Sequence, residues 1–317
     1  MMFQKKSKFE MNKILKTNNK ILVIGSSNTD MVIYTDHFPH PGETILGGRF
    51  LMNPGGKGAN QAVAAARLGG NVVFFGKIGK DIFGQEAIKN LEKESIDVSL
   101  VLTDPENSSG IAQIIVNKDA ENCITVAPGA NMDLRKEDVD YVFAQISDME
   151  LLLLQLEIPL ETIVYAAKLG HQMGKKVILN PAPATTLPNE LYSHLYMITP
   201  NETEAEFLTG VKITDKHTAI KAAQILKNKG VEIVIITMGE KGALVCTETM
   251  NELIPAPQVK AIDTTAAGDT FNGALAVALI QGKDLLSSIR FANQSASIAV
   301  TRAGAQSSIP FINELTF

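Results

Sequence analysis

The chain has 317 residues, 45% of them hydrophobic, enough to bury a large core in one α/β domain or one domain with a small accessory piece. Its 29 basic and 34 acidic residues leave a net charge of −5, so no basic field marks a nucleic-acid or anionic-membrane partner, and any bound phosphate must be held locally by loops and helix ends. Two distant cysteines, Cys123 and Cys246, read as buried reduced thiols, and no apolar run approaches the roughly 18 residues that span a bilayer, so a cytoplasmic setting is the expectation.

Residues 1–19 are Lys-rich and polar without the apolar stretch of a secretory signal, and are expected to form an N-terminal extension, with Met11 a second candidate start. From Lys20 the chain repeats a short β-branched run, a turn and a helical pattern. Lys20 to Gly25 reads as a buried strand, Gly58 to Leu68 as an Ala-rich helix, and Val72 to Phe75 as the next strand. The cycle returns with a strand at Leu151 to Leu154, a helix near Leu160 to Leu169, and a strand at Val177 to Leu179. It continues with a strand at Met197 to Thr199, helices from Asn201 and over His217 to Lys229, and a strand at Ile233 to Thr237. Uninterrupted apolar strands alternating with amphipathic helices predict a mainly parallel sheet covered on both faces, a three-layer α/β/α, Rossmann-like domain. Two segments break the rhythm, Met31 to Leu51 and Gly110 to Val126; both look like antiparallel ribbons and predict one small β-sheet beside the main domain.

The most informative segment is Asp263 to Leu275, where small residues lead into a long helical pattern. A helix opening near Gly268 leaves the amides of Ala266, Ala267 and Gly268 free to point at an anion, and such small side chains let a phosphate come close. Asp269 then stands where negative charge would gather, well placed to take a proton from an attacking hydroxyl; read blandly, it is a first-turn Asp. Asn53 to Gln61 carries three glycines before a helix, but neither a Walker A loop nor GxGxxG. It still allows close backbone approach to a ligand, with Lys57 and Asn60 suited to sugar hydroxyls, or it is merely a tight strand-to-helix turn. Ser26 to Asp30 follows the first strand, at the end of a parallel strand where ligands bind; Asn28 and Asp30 could chelate vicinal hydroxyls or form an Asx turn. Asn201 reads as a helix N-cap, and with Glu204 it could lie near nucleotide phosphates and Mg²⁺ through water. Thr237 to Gly242 closes a strand with a Gly-rich turn, a nucleotide contact or a plain hairpin. Glu157, at a strand end, could hold a ligand or cap a helix.

In order along nearly the whole chain, from about Lys20 to Pro310, these strings resemble the ribokinase branch of the PfkB-type carbohydrate kinase family. The pieces that carry the resemblance include Ser27-Asn28-Thr29-Asp30, Pro41-Gly42-Glu43-Thr44, Gly55 to Gln61, Gln155-Leu156-Glu157, Asn180-Pro181-Ala182-Pro183-Ala184, Thr199 to Glu206, Asp263 to Leu275, and Ala299 to Gln306. The resemblance implies ATP-dependent phosphorylation of D-ribose at its 5-hydroxyl by in-line transfer. It implies that Asn28, Asp30, Gly56, Lys57, Gly58, Asn60 and Glu157 hold the sugar, with Asp269 as general base and Ala266, Ala267 and Gly268 as the anion hole. It implies Asn201, Thr237, Gly239, Gly242, Gly268 and Asn293 as ATP contacts, and Glu204 as organiser of Mg²⁺. It also implies a K⁺ site made by Asp263 with carbonyls or hydroxyls of Thr265, Ala299, Arg302, Gly304 and Ser308. The β insertions, about 31–52 and 110–127, would form a lid over the sugar and pair two chains as a homodimer.

Three other readings stay in view. The kinase could act on 2-deoxyribose, fructose, a nucleoside such as adenosine, or a sugar phosphate, although the last would want more Arg or Lys than Lys57 alone. A dinucleotide-dependent oxidoreductase lacks its GxGxxG and downstream acidic partner. A non-catalytic sugar-binding protein would need no base at Asp269.

Overall fold

The computed structural model describes residues 19–46, 48–119 and 121–315, so residues 1–18 of the expected N-terminal extension lie outside the described residues. The chain opens with β1 (Lys20–Ile24), β2 (Asn28–Tyr34), β3 (Arg49–Gly55), α1 (Lys57–Arg67), β4 (Asn71–Phe75), β5 (Lys77–Gly79) and α2 (Ile82–Lys93). It continues with β6 (Leu102–Asp104), β7 (Gly110–Val116), β8 (Asn122–Ala127), α3 (Lys136–Gln145), β9 (Met149–Leu154), α4 (Leu160–Gln172) and β10 (Lys176–Leu179). The remainder comprises α5 (Asn189–Tyr192), β11 (Met197–Ile198), α6 (Glu202–Thr209), α7 (Lys216–Asn228), β12 (Ile233–Thr237), β13 (Ala243–Cys246), β14 (Asn251–Ile254), α8 (Ala267–Ile280) and α9 (Leu285–Ala299).

Alternation along the apolar strands sorts side chains into two layers, because successive residues of a strand point to opposite faces. Ile21 and Val23 enter one core with Ala62, Val63, Phe271, Ala274 and Ile289 of α1, α8 and α9. Leu22 and Ile24 enter the other with Val142, Ile163, Ala166 and Ala222 of α3, α4 and α7. Both faces are therefore covered, as the continuous apolar runs predict, and each fully buried Leu or Ile contributes roughly 1.5–3 kcal/mol of transfer free energy. The eight strands run in the order β14-β13-β12-β11-β10-β9-β1-β4. They pair in parallel from β4 to β12, and β13 and β14 close one edge as antiparallel strands.

Close packing of α1 on α8 brings distant chemistry together. A Cβ on Gly273 would sit 2.6 Å from the Ala64 methyl and 2.7 Å from the Gln61 carbonyl oxygen, so only glycine lets the two helices approach this closely.

The second sheet has the order β3-β2-β7-β8. Each insertion is an antiparallel ribbon, as expected, and β2 joins the two by parallel pairing with β7. The ribbon reaches further than 31–52: Asn28 pairs with Gly55 and Asp30 with Asn53. Asn28 to Asp30 is thus strand and not an Asx turn. Helices α2 and α3, the β5–β6 pair and the antiparallel β13–β14 edge lie where the sequence pattern had assigned no element. One expectation needs correcting. Cys246 is buried in β13, but Cys123 is exposed, because it lies on β8, the outer strand of the small sheet, which no layer covers.

Candidate active site

After β4 the chain crosses back over β1 to β9, so the strand order reverses at β1 and leaves a crevice at the carboxyl ends of the strands. Polar residues that follow the apolar strands gather there: Ser26 and Asn28 after β1, Gln155 and Glu157 after β9, Asn180 after β10, and Thr199 after β11. A cavity of about 320 Å³ opens among Lys57, Asn180, Asn201, Glu204, Thr237 and the 264–269 segment.

Asp269 is the buried anion of this crevice. It lies in the first turn of α8, whose N-cap, Ala266, holds a left-handed backbone at φ 58. That conformation is costly for a residue with a Cβ, and here it turns the Ala266–Gly268 stretch into the cavity at the positive end of the helix. The Asp269 carboxylate accepts one N–H from Asn60, at 2.9 Å, and one from Gln61, at 3.0 Å. Burial pushes its pKa above the usual carboxylate value, offset in part by Lys57 and these two amides, with Glu157 pushing it further up. Such a carboxylate is a better proton acceptor than a solvated one.

Lys57, Asn60 and Gln61 reach the site from one face of α1, at positions i, i+3 and i+4. Burial would lower the Lys57 pKa, but Asp269, Glu157, Glu204 and Asp30 outweigh it and hold the ammonium charged. Glu157 accepts the Ser26 hydroxyl proton and the Lys57 backbone N–H, tying the end of β1 to the first turn of α1. Asn28 is buried, and its side-chain oxygen accepts from Asn131 at 2.8 Å. Asp30 is half-buried, and burial together with Glu157 and Asp269 raises its pKa to about 6. A Cβ on Gly56, where φ is 87, would come within 2.7 Å of the Asn28 amide nitrogen, so the small sheet can turn into α1 only through glycine.

On the other flank, Asn201 and Glu204 form a reciprocal cap on α6. The Asn201 side chain accepts the Glu204 N–H, and the Glu204 carboxylate accepts the Asn201 N–H. Burial raises the Glu204 pKa. Farther out, Asp263 accepts N–H groups from Thr265 at 2.9 Å and Gly304 at 2.8 Å. These bonds outweigh burial and lower its pKa. Among the described residues no three His, Cys, Asp or Glu side chains converge as a metal-ligating group.

A buried, amide-held carboxylate beside a helix N-terminus, faced by a lysine and opening on a cavity of ligand size, can accept a hydroxyl proton while amides receive an anion. The family model for pfkB family carbohydrate kinases matches residues 18–312. The chain belongs to that family. Similar relatives include a ribokinase of Haemophilus influenzae, 47% identical over 92% of this chain and 95% of the relative. A deoxyribokinase of Salmonella typhi is 41% identical over 93% of this chain and 96% of the relative. Among solved structures, a ribokinase from Thermotoga maritima superposes with a TM-score of 0.86, at 41% identity over 93% of this chain and 97% of that one. An Arabidopsis thaliana ribokinase complexed with ribose and ATP superposes with the same TM-score of 0.86, at 31% identity over 93% of this chain and 96% of that one. This pfkB-family kinase shares the ribokinase-like α/β fold of these two solved structures and carries its small separate sheet beside it.

Several residues singled out from the sequence also make packing or hydrogen-bond contacts within the chain. A Cβ on Gly58 would lie 2.7–2.8 Å from the backbone of Gly25 and Ser26, so Gly58 is a packing glycine between α1 and β1. Gly242 is pressed against β14, its would-be Cβ 2.0 Å from the Ile254 carbonyl oxygen. Asn293 is buried and donates to the Ile254 and Pro255 carbonyls, which spends its amide on the backbone. Gly239, by contrast, has open space before it in the β12–β13 turn, next to Thr237. The Arg302 guanidinium is paired with Glu314, and the Arg302 backbone N–H donates to the Ala299 carbonyl. The Ser308 hydroxyl bonds the Ala305 carbonyl. Sequence reasoning assigned no role to Gln61, Gln155, Asn180, Thr199, Asn131 or Asn272. The available signals were the spacing of Gln61, a turn after Lys57, and the presence of Gln155, Asn180, Thr199 and Asn272 in strings that carry the family resemblance. Among the described residues, no helix is long and apolar enough to cross a membrane.

Proposed function

We propose that this kinase transfers the γ-phosphoryl group of ATP to the 5-hydroxyl of D-ribose, with Asp269 as general base. The observation that carries this reading is the position of Asp269, buried at the edge of the cavity, bonded to the neutral side-chain amides of Asn60 and Gln61 and set in the first turn of α8. Asn28, Asp30, Lys57, Asn60 and Glu157, with the backbone at Gly56, hold the sugar. Asn60 Oδ1 is buried without a partner, a vacancy that a sugar hydroxyl would fill. Asp269 takes the proton of the 5-hydroxyl as its oxygen attacks the γ-phosphorus in line. The Ala266, Ala267 and Gly268 amides receive the charge that develops on the transferred group.

Asn201, Thr237 and Gly239 contact the nucleotide. Glu204 and Asn201 offer only oxygen donors, which suits Mg²⁺ held largely through water and phosphate. When bound, Mg²⁺ neutralises phosphate charge. Asp263, with carbonyls or hydroxyls of Thr265, Ala299, Arg302, Gly304 and Ser308, is likewise an all-oxygen set and suits a K⁺ ion, which would add a fixed positive field beside the anion hole. The small sheet acts as the lid. Val126 pairs with Ala112, which pairs with Asp30, so the half-exposed Val126 shares the sugar-facing side of the lid. A second lid covering that apolar edge would make a homodimer. ATP dependence and free thiols fit the cytoplasm.

The 41% identity to a deoxyribokinase favours 2-deoxyribose as a second acceptor. A coupled ADP-release assay with Mg·ATP and K⁺ would compare ribose, 2-deoxyribose, fructose, adenosine and fructose 6-phosphate. Preference for ribose is the expected result. Preference for another acceptor would keep Asp269 but reassign Asn28, Asp30 and Lys57, and no turnover with any acceptor would sink the reading.

A further inference from the structure

Behind Asp269 lies a chain of neutral side chains to which no role has yet been given. Gln61 is fully enclosed, and its Nε2 donates to Asp269 Oδ1 and to Asn180 Oδ1, each at 3.0 Å, which uses both amide protons. Its Oε1 accepts from Gln155 Nε2 at 2.6 Å. Asn180, in turn, donates to the Thr199 carbonyl at 3.2 Å. The Thr199 hydroxyl donates to Asn272 at 2.6 Å, and Asn272 donates to the Gly268 carbonyl at 2.8 Å. Strand ends β9, β10 and β11 are thereby tied to both the base and the backbone of the anion hole.

A primary amide has a donor end and an acceptor end, so its orientation matters as much as its position. Were Gln61 turned over, its carbonyl oxygen would face the Asp269 carboxylate and the Asn180 oxygen, three acceptors without a proton among them. What prevents this is Gln155, which presents its NH₂ to the Gln61 oxygen. The far end of the Gln155 amide packs against Gly25. A Cβ there would lie 2.1 Å from Gln155 Oε1, so the oxygen occupies the space that glycine leaves free. That oxygen is buried without a partner, a cost accepted in order to keep the NH₂ on Gln61.

We infer that Gln155 and Gln61 form a polarity relay in which Gln155, acting through Gln61, keeps an N–H donor on Asp269 and so holds the base ionised and aimed. Both are positioning residues. The inference rests on the reading of Asp269 as general base. The charged groups around Asp269 are Lys57 of α1, Glu157 after β9, Asp30 of the lid and Glu204 of α6, and none of them is altered by the test.

Turnover and both KM values would be measured from about pH 5 to about pH 9 for Gln61→Met, Gln155→Met, Gln155→Glu and the double Met variant. Gln61→Met should lower kcat roughly 10–100-fold with sugar and ATP KM within about threefold, and should move the acid limb of kcat to higher pH, since the carboxylate has lost a donor. Gln155→Met should act in the same direction but less, and the double variant should be no worse than Gln61→Met alone. Wherever its new carboxyl is ionised, Gln155→Glu should fall below Gln155→Met, although Glu is closer to Gln in shape, because the carboxylate offers the Gln61 oxygen only acceptors. Loss of packing alone would give the opposite order and leave the acid limb unmoved. That opposite order, additive losses, or a stationary limb would overturn the relay. The order of the two Gln155 variants stands by itself should Gln61→Met fail to fold. Asp269→Asn run alongside separates the two levels. If it turns over normally, the base reading falls and the relay with it. If it is inactive while the glutamine variants match wild type, only the relay falls.

Discussion

Asp263 and Asp269 stand six residues apart on either side of the turn into α8, and they meet opposite surroundings. Asp269 is enclosed and receives one neutral side-chain amide on each oxygen, so that burial dominates and raises its pKa. Asp263 lies in a half-exposed loop, where the Thr265 side chain and the backbone N–H groups of Gly304 and Thr265 outweigh burial and lower its pKa. The same side chain is thus set up in one place to exchange a proton and in the other to remain a fixed negative charge. Two carboxylates with environments that push them apart are what a site needs to divide acid–base work from charge balance.

The comparison breaks first at Asp269. Asp269→Asn preserves shape and the surrounding packing but cannot accept the hydroxyl proton, so kcat should fall roughly 10²–10⁴-fold while sugar binding is spared. Steady-state kinetics with sugar binding by calorimetry would check it. Near-normal turnover would remove Asp269 from the base role. At Asp263 the expected loss is smaller, because a fixed charge one shell away would act on the anion hole only through the cation proposed there. Asp263→Asn should lower kcat roughly 5–50-fold and abolish the difference between K⁺ and Na⁺, a coupling of the usual size between linked sites. In the wild type, replacing K⁺ by Na⁺ should depress activity. Indifference to the cation would dismiss the proposed site around Asp263 and leave the carboxylate a loop staple between Thr265 and Gly304.

The two aspartates were unequally legible. Asp269 stood out because small residues before a long apolar helix are visible in one short string, and the Asn201–Glu204 cap was visible for the same reason. The buried strands and both ribbons followed from periodicity alone. What remained hidden were pairings that the fold makes across the chain. Asn60 reaches Asp269 from 209 residues away, Ser26 reaches Glu157 from 131, and Asn28 meets Asn131 from 103. Gln155 and Asn180 looked like ordinary polar residues ending apolar strands, and only the reversal of strand order beside β1 makes those ends converge. Gly58, Gly242 and Asn293 carry contacts that their strings did not reveal, the two glycines in close packing and Asn293 on the Ile254 and Pro255 carbonyls.

Asp30 is a third carboxylate at the site, on β2 of the small sheet, and it faces the same anions. Burial, Glu157 and Asp269 raise its pKa to about 6, while Lys57 opposes them. An ionised carboxylate accepts two sugar hydroxyls better than a protonated one, so the group is fully competent above that value and loses affinity for sugar as pH falls through it. Half of the free enzyme would carry the proton at pH about 6, so the sugar KM should be about twofold higher there than at pH about 7.5. The effect belongs to the free enzyme and should appear in kcat/KM for the sugar, because bound sugar hydroxyls stabilise the carboxylate. It should be absent from kcat at saturating sugar. An acid limb equally deep in kcat would assign the titration to Asp269, and the lid would then hold a carboxylate that stays charged through the same range.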